Sequence, residues 1–582
     1  MDRNNFIGGK ATRRFLVSSL ISTMSLQLPI MVIPFIAGRL LCPESLAAIN
    51  LTTPIKELWY AIVLLFSMGA NLLAGYCIGN NKKEDSCGHF TASIISCVIA
   101  IFALFGIIFP LRHFVTDFIC GDNPQIWQLT YDYLSISLFD CLPMAVFESL
   151  GLFISMDGHP EKVAKISSVA SVLEIVLALC MADFFQMGIK GLAWAVVIGD
   201  SIGAILSIPY FFSDDTSLKF HDVKDKMFYY LSANLKKGLP QMLDNIFYML
   251  SILIINSVSV RIFNEKEVVA WSIILTISTF GDFFYCAISQ TEMSLGEVYM
   301  GERDINGVKF LIKNSRRILL LCLIVLFSAI EISPSSVMRL FGIEDPILIS
   351  ECGTLMRMAA FFIFYHFVVL VSGEFCLMGR DRLYTLFLLV ANIIPVIISS
   401  LFAFLTPRIF WWNYFVCSIA YMAHFLWMDK KSRGILIEEQ NAIDLFEVSM
   451  PYDMSLIGPE LNKIRKFLLS QHVPDDTVNR IEHCTDELSY NIIKHRQKSL
   501  EGKTFDIRVV ICEGGQIDLI FKDAGRPFNP IINFDTDAAS AIQNGEKAQL
   551  SLRVFNYFAS NPEYRRLHSI NFTRMTFPQQ LV

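Results

Sequence analysis

The sequence predicts an all-α membrane bundle of twelve transmembrane helices, arranged as two parallel six-helix repeats, followed by a C-terminal α/β two-layer sandwich domain. Three observations lead to this fold class. The composition is 53% hydrophobic and only 18% charged, whereas soluble proteins carry about 25% charged residues. Long apolar runs recur from Phe15 to about Met428, and the two halves of this region superpose on one another. After Gly434 the runs give way to the alternating and amphipathic patterns of a soluble domain.

Each apolar run is long enough to cross a bilayer, whose core of roughly 30 Å needs about 20 helical residues. The predicted spans are 15–38, 51–78, 89–111, 127–156, 164–185, 190–212, 239–262, 268–296, 316–335, 347–378, 383–405 and 409–428. The first run is too long for a signal peptide and is interpreted as a retained helix. The predicted domains are therefore a cytoplasmic N-terminus (1–14), the first repeat (15–212), a cytoplasmic linker (213–238), the second repeat (239–428), a second linker (429–440) and the soluble domain (441–582).

The distribution of Lys and Arg between the loops predicts the orientation. The loops on the side of the two termini hold 23 Lys and Arg residues, and the opposite loops hold 7. Since basic loops stay on the cytoplasmic side, both termini and the C-terminal domain should be cytoplasmic, in a multi-pass protein of the inner (plasma) membrane. The lipid bilayer is therefore a predicted partner. The net charge of −6 gives no indication of a nucleic-acid partner.

A single constant shift along the chain aligns the first half of the membrane region with the second. The shift superposes Ile33 on Ile255, Ala48 on Ala270, Gly79 on Gly301 and Pro124 on Pro346, and one further residue of slip brings Gly158 onto Gly379. Because six helices are an even number, both repeats enter the membrane from the same side and should be related by an axis along its normal. Such a duplication favours a binding cavity between two lobes and alternating access, although a duplicated receptor bundle without transport is the alternative.

Several strings in this region resemble the multidrug and toxic compound extrusion (MATE) family. They are "AGRLLCPESLAAINLTTPI", "FSMGANLLAGYCIGNNKKED", "KKGLPQMLDNIFYMLSILIINSVSVRIF" and "VYMGERD". The resemblance covers residues 12–430. It implies a secondary-active antiporter with two six-helix bundles, which exports amphipathic or cationic compounds in exchange for Na⁺ or H⁺.

Acidic side chains inside the predicted spans are the candidates for binding the ion or the substrate. A carboxylate in hydrocarbon costs roughly 2.5–3.5 kcal/mol, so it usually faces the bundle interior. The candidates are Asp140, Glu148, Glu174, Asp200, Asp244, Asp282, Glu292 and Glu374. Asp244, with its neighbour Asn245, and Glu374 are preferred, because Pro240 frees backbone carbonyls that can join a carboxylate in ion coordination. The structural alternative is that some acids pair with Lys56, Arg357 or His366.

At three places the chain departs from the acids of the MATE family. Ile33 stands where one branch has an aspartate on its first helix. The helix 7 acid of the other branch would fall near Phe247 or Tyr248, and its helix 10 acid near Val369. The coupling ion is therefore not assigned by the resemblance, and a facilitator or a lipid-linked saccharide flippase remains an alternative.

The soluble domain should contain strands at its beginning and end, helices and one hairpin. The predicted strands are "AIDLFEVSM", "FDIRVVICEGGQIDLIFKD" with a turn at Gly514–Gly515, and "SINFTRMTF". The predicted helices lie at 461–471, 475–497 and 550–559.

Two motifs in this domain resemble the Bergerat-fold ATP site of histidine kinases, gyrase and, most closely, bacterial anti-sigma-factor kinases. They are "TDELSYNIIKH" and "DAGRPFNP". The resemblance implies that Asn491 binds Mg²⁺ on the ATP phosphates and that Glu487, one helical turn earlier, is a general base. It implies further that Asp523 accepts a hydrogen bond from adenine, while Gly525 and Gly545 let the backbone approach the ligand.

The stretch that would close over the phosphates departs from this pattern. Gln549 and Ser551 stand where the family has glycines, and only Gly545 remains. Whether the domain binds ATP or acts as a serine kinase is therefore left open. The favoured function is an antiporter with a regulatory domain that senses nucleotide or an anti-anti-sigma-like protein. The competing hypothesis is a membrane-anchored serine kinase or regulator that uses the bundle as a receptor.

Overall fold

The computed structural model describes residues 4, 6–41, 43–80, 82–120, 124–213, 216–262, 265–340, 346–403, 410–441, 444–494, 500, 502–511, 515–527, 529–530, 559–567 and 570–578. The chain folds into two compact units. The membrane unit is Leu16–Gly434, and the soluble unit combines Met1–Phe15 with Ile435–Val582. The sequence patterns did not place the segment before Leu16 in a folded domain. The structure shows that this segment belongs to the soluble unit.

Helices account for nearly all of the membrane unit. Their bounds are α1 Phe6–Ile36, α2 Pro43–Val63, α3 Gly69–Gly79, α4 Lys83–Cys120, α5 Pro124–Ser137, α6 Cys141–Met156, α7 Pro160–Leu179, α8 Ile189–Ser207, α9 Met227–Ile262, α10 Glu265–Gly301, α11 Ile305–Ile332, α12 Pro334–Leu340, α13 Pro346–Ala359, α14 Tyr365–Leu377, α15 Asp381–Ala403 and α16 Asn413–Asn441. Two of them cross the unit boundary in sequence: α1 begins and α16 ends in the soluble unit.

Each of the twelve predicted spans falls on one helix or on two helices joined by a short 3₁₀ or π turn. Within the described residues, eight segments are long and apolar enough to cross a membrane. They are Phe6–Pro34, Ile55–Gly79, Lys83–Phe118, Trp127–Met156, Pro160–Phe184, Ile189–Phe212, Gly353–Leu377 and Asp381–Phe402. Four helices that carry more charged residues, α9, α10, α11 and α16, lie at the remaining predicted spans. A count of twelve crossings therefore stays a prediction.

Structural irregularities recur at the spacing of the sequence repeat. A 3₁₀ turn at Leu138–Asp140 interrupts the fourth predicted span, and one at Ala360–Phe364 interrupts the tenth. Gly158 and Gly379 both have positive φ, at 98° and 69°, a conformation that favours glycine. These features make the two halves alike in backbone conformation as well as in sequence.

Glycines bring the two repeats into backbone contact. Gly79 ends α3, and Gly301, its counterpart under the repeat, ends α10. A Cβ atom added to Gly79 would lie 2.3 Å from the carbonyl oxygen of Val298 and 2.8 Å from Cα of Gly301. Only glycine permits such an approach, so the ends of these two helices lie against each other. The basic-loop count predicts that these ends are on the cytoplasmic side.

The soluble unit contains one antiparallel sheet with two helices packed on one face. The strands are β1 Asp444–Pro451, β2 Thr504–Ile511, β3 Gln516–Asp523, β4 Ser560–Leu567 and β5 Ile570–Pro578, in the order β1-β2-β3-β5-β4. The helices are α17 Ile457–Ser470 and α18 Asp475–Lys494. Their apolar faces pack with Val448, Ile507, Leu519 and Met575 into one core.

The sequence patterns did not predict β4. Its sequence "SNPEYRRL" contains a proline and three charged residues, which are typical of a loop. Proline is tolerated at a sheet edge, and β4 is an edge strand with an irregular register between Ser560 and Glu563. The helix predicted at 550–559, except for its last residue, and the stretch with Gly545, Gln549 and Ser551 lie outside the described residues.

Candidate functional site

Four acidic side chains from both repeats form a cluster inside the membrane unit, which we call the central acidic cluster: Glu57 of α2, Glu148 of α6, Asp244 of α9 and Asp282 of α10. Asp244 interacts electrostatically with Asp282, and Asp282 with Glu57. Asn245, predicted beside Asp244, donates from Nδ2 to Glu57 Oε2 at 3.3 Å and so joins the two repeats.

Aromatic side chains surround the central acidic cluster. Tyr60 interacts with Glu148 and Asp282, and Tyr285, Tyr365 and Tyr384 each interact with Asp244. Tyr248 stacks on Tyr365 with ring centroids 5.4 Å apart. The Asp282 side chain retains 34% of its accessible surface although helices of both repeats contribute neighbours. The cluster is therefore not sealed inside the protein.

Several hydrogen bonds hold the tyrosines of this region in place. The hydroxyl of Tyr384 donates to Gln241 Oε1 at 2.9 Å, and that of Tyr365 donates to Asn392 Oδ1 at 2.8 Å. His366 is buried, and its Nδ1 lies 3.9 Å from Asp282 Oδ1. Tyr365 and Tyr384 are buried, so they form the fixed support of the cluster.

A second group of acids lies wholly within the first repeat, and we call it the first-repeat acid site: Asp140, Glu174, Asp200 and the ammonium of Lys56. Lys56 interacts electrostatically with all three carboxyl groups. Asp140 and Asp200 also interact electrostatically with each other. Three carboxyl groups thus surround one ammonium inside the first repeat.

Local backbone features place these acids. Asp140 ends the 3₁₀ turn that interrupts the fourth span. Gly199 of α8 has no side chain and so leaves room for Glu174 of α7. A Cβ added at Gly199 would lie 2.8 Å from Cβ of Glu174. Glu174 thereby comes close to Asp200, the residue after Gly199.

The two remaining predicted acids, Glu292 and Glu374, lie together in the second repeat. Arg316 Nε donates to Glu374 Oε1 at 2.6 Å, its Nη2 binds Glu374 Oε2, and its Nη1 donates to Asp429 Oδ1 at 2.6 Å. Glu292 is fully buried and interacts electrostatically with Glu374. Glu374 is therefore part of an ion-pair network that also includes α16, through Asp429.

The soluble unit brings Asp523 and Gly525 together at the end of β3. Asp523 Oδ1 accepts from the Gly525 amide at 2.7 Å and from Asn571 Nδ2 at 3.1 Å. A Cβ at Gly525 would lie 2.6 Å from Asp523 Oδ1, so this turn needs a glycine. Among the described residues, nothing donates to Asp523 Oδ2, which leaves this oxygen able to accept from a ligand.

Burial raises the pKa of Asp523 from 3.8 to about 6. The hydrogen bonds from Gly525 and Asn571 and the charges of Arg566 and Lys10 act in the opposite direction, but burial dominates. The carboxyl group is therefore ionised near neutral pH and protonated below about pH 6.

Glu487 and Asn491 lie on one face of α18, as their spacing predicts. Asn491 Nδ2 donates to Glu487 Oε1 at 2.9 Å. Asn491 is 3% exposed and Glu487 is half-buried. The amide oxygen of Asn491 is the group that could bind Mg²⁺. Among the described residues, no group of three or more His, Cys, Asp and Glu side chains is arranged to hold a metal ion.

Glu57, Arg316 and Asn571 were missed by sequence reasoning, whereas Lys56 was named there as a possible partner of the acids, as the structure places it. The pair Lys56–Glu57 inside an apolar run was a usable signal, because charged side chains in a span normally face the bundle interior. Arg316 was assigned to the edge of a loop, and nothing in its sequence surroundings points to a partner on another helix. Asn571 was part of a predicted strand with no pattern of its own.

Comparisons with known proteins agree with the predicted architecture of the membrane unit. The MatE family model matches residues 18–180. A structure of "MATE in the bent conformation" is 18% identical with a TM-score of 0.65 and covers 75% of this chain and 97% of its own. An outward-facing multidrug resistance MATE family transporter of the MOP superfamily is 17% identical with a TM-score of 0.67 and covers 75% and 99%.

A MOP superfamily transporter from Pyrococcus furiosus, described as having a binding pocket of reversed polarity, gives the same identity, TM-score and coverage. No curated protein sequence matches the chain at a significant level. Over three quarters of its length the chain therefore has the helical membrane transporter fold of the MATE structures, and it is a multi-pass membrane protein.

Proposed function

We propose that this protein is a secondary-active antiporter of the MATE class that exports organic cations or cationic amphipathic compounds in exchange for protons. The central acidic cluster carries the proposal. It joins four acids of both repeats to a set of tyrosine rings, and its position between the lobes is where alternating access requires a substrate site. The basic loops favour cytoplasmic termini in the plasma membrane.

The chemistry of the central acidic cluster favours a cation. Four carboxyl groups supply negative charge, and the rings of Tyr60 and Tyr285, which are not buried, can attract a cation through their quadrupoles. An apolar ring system attached to the cation could stack on the same tyrosines. A neutral substrate would gain the stacking but not the charge interaction.

The first-repeat acid site favours the proton over Na⁺ as coupling ion. Two neighbouring carboxyl groups such as those of Asp140 and Asp200 can hold one proton between them and can release and rebind it. The ammonium of Lys56 faces the same carboxyl groups and would repel a metal cation at short range.

Asp282→Asn is expected to lower export of a monovalent organic cation about tenfold or more in proteoliposomes with a pH gradient, and Asp244→Asn should act alike. Each loses a charge interaction worth roughly 1.4 kcal/mol. Export of a neutral analogue should change less than twofold. Asp132→Asn, which removes an acid paired with Lys190, is the control. Equal losses for the cation and the neutral analogue would contradict a charge-selective site.

For the soluble unit we propose a regulatory role through adenine-nucleotide binding. The buried Asp523 offers one free oxygen beside a glycine turn, as recognition of an exocyclic amino group requires. Asn491 would hold Mg²⁺ and the phosphates, and Glu487, hydrogen-bonded to Asn491, is the proposed general base if a phosphoryl group is transferred. An anti-anti-sigma-like protein is the proposed partner.

Affinity for Mg·ATP should fall about tenfold between pH 7 and pH 5, because an ionised Asp523 is the acceptor and its pKa is about 6. The measurement is calorimetric titration of the full protein. Asp523→Asn is the control, since any pH dependence left in this variant comes from the phosphates. Equal pH dependence in both proteins would remove Asp523 from the site.

A further inference from the structure

We propose that Lys237 of α9 is a latch between the two repeats, which holds the ends of α3 and α10 closed by binding acceptors on α10, α14 and α15. The Lys237 latch consists of Lys237, Glu297, Asp381 and the carbonyl oxygen of Cys376, and all four lie inside the membrane unit. This proposal goes beyond the proposed function, and it rests on that function only in taking the opening of these ends as a step of the transport cycle.

The first three turns of α9, which the sequence predicts as a linker, are docked on the first repeat. The docked face consists of Tyr230, Asn234 and Gly238, each one helical turn after the last. The hydroxyl of Tyr230 donates to Asp85 Oδ1 at 3.1 Å, and Asn234 Nδ2 donates to the carbonyl oxygen of His89 at 3.1 Å. Both acceptors belong to α4, so this part of α9 is hydrogen-bonded to a helix of the first repeat.

Glycines bring the docked segment into backbone contact with the first repeat. A Cβ added at Gly238 would overlap the carbonyl oxygen of Leu65, and a Cβ added at Gly69 would overlap that of Asn234. Leu65 lies in the π turn before α3, and Gly69 is the first residue of α3. Because no side chain fits between backbones this close, we expect Lys237, the neighbour of Gly238, to move with the first repeat.

The Lys237 side chain binds three groups of the second repeat. Its Nζ donates to the carbonyl oxygen of Cys376 at 2.6 Å and to Asp381 Oδ1 at 3.1 Å, and it lies 3.8 Å from Glu297 Oε1. These acceptors belong to α14, α15 and α10. The side chains of Lys237 and Glu297 are 11% and 5% exposed. Breaking a buried ion pair by removing one partner is costly, because the other charge stays buried without its partner.

The Lys237 latch lies next to the closed ends of α3 and α10. Glu297 stands one helical turn before Gly301 on α10, and it also packs on the first repeat, since a Cβ added at Gly75 of α3 would lie 3.4 Å from Cβ of Glu297. Along α9, Lys237 precedes Asp244 of the central acidic cluster by about two turns, roughly 10 Å. Because Lys237 is fixed to the first repeat and its acceptors belong to the second, these ends cannot separate while the latch is intact.

The latch is tested by the reactivity of a native cysteine in the full protein, without any substrate. Cys77 of α3 is 8% exposed and interacts electrostatically with Glu297, so its thiol is shielded while the ends are closed. In lipid nanodiscs at one fixed pH, Lys237→Met should raise the rate at which a water-soluble maleimide modifies Cys77 at least about fivefold. Peptide mass spectrometry measures each cysteine separately. Lys236→Met, at the exposed neighbouring lysine, is the matched control and should change the rate less than about twofold.

Two further comparisons separate a latch from general structural support. Cys97 and Cys417, in helices of the first and second repeats, are each 2% exposed, and their modification should not rise in Lys237→Met. Asp381→Asn, which removes one acceptor of the latch, should also speed modification of Cys77. An unchanged rate at Cys77 in both variants, or an equal rise at all three cysteines, would overturn the latch. Because no transport is measured, a failure of the proposed substrate or coupling ion would not affect this result.

Discussion

Gly301→Val should reduce transport to below about one hundredth of normal while leaving the protein folded. A Cβ at Gly301 would lie 2.3 Å from the carbonyl oxygen of Tyr76 and 2.8 Å from Cα of Gly79, so a branched side chain has no room while α3 and α10 touch. Transport by alternating access requires these helix ends to close in one half of the cycle. Valine would hold them apart and stop the cycle there.

The measurement is export of an organic cation from proteoliposomes driven by a pH gradient. Gly106→Val is the matched control, because a Cβ there would meet no atom within 4 Å and the residue also lies in a membrane helix. Gly79→Val should fail in the same way as Gly301→Val, since a Cβ on either glycine meets the backbone at the other. Normal export by Gly301→Val would mean that closure of these ends is not part of the cycle.

Asp140→Asn is expected to abolish proton-driven export, with a loss of at least about a hundredfold, while substrate counterflow without a gradient stays within threefold. Asparagine is nearly the same size as aspartate and is also polar, so the packing beside Asp200 should be kept. However, the amide cannot release or rebind the proton. The central acidic cluster is unchanged, so substrate binding should persist and only the coupling should be lost.

Uphill export and counterflow are measured on the same proteoliposomes, with Asp132→Asn as control for loss of an acid elsewhere in the first repeat. Export of the unchanged protein that follows a Na⁺ gradient and ignores pH would refute proton coupling. Retained proton-driven export in Asp140→Asn would instead remove the first-repeat acid site from the mechanism.

Features that depend on local sequence were predicted well. Hydropathy is a property of one continuous run of the chain, so helices were found at all twelve predicted places. The two strands predicted on either side of Gly514–Gly515 pair with each other as β2 and β3. The repeat was visible in the sequence because Gly79 and Gly301 stand at equivalent positions of the two halves. At both positions the close approach of the two helices requires a residue without a side chain.

Features that depend on distant pairing were not predicted. Arg316 binds Glu374 and Asp429 only after three helices have assembled. Ile7 and Ala11 are apolar and stand directly before a transmembrane run. In the sequence they therefore look like the first residues of that run. Their packing in a soluble core is decided by strands near the opposite end of the chain.

The divided soluble unit has a consequence for biosynthesis. Asn4 leaves the ribosome 445 residues before its partner Ser449, a delay of roughly 20–90 s at about 5–20 residues per second. The unit can be completed only when β1 to β5 have been made and both chain ends lie on the same side of the membrane. That requires an even number of crossings, so a protein that has misinserted one helix leaves Ile7 and its core partners exposed to quality-control proteases.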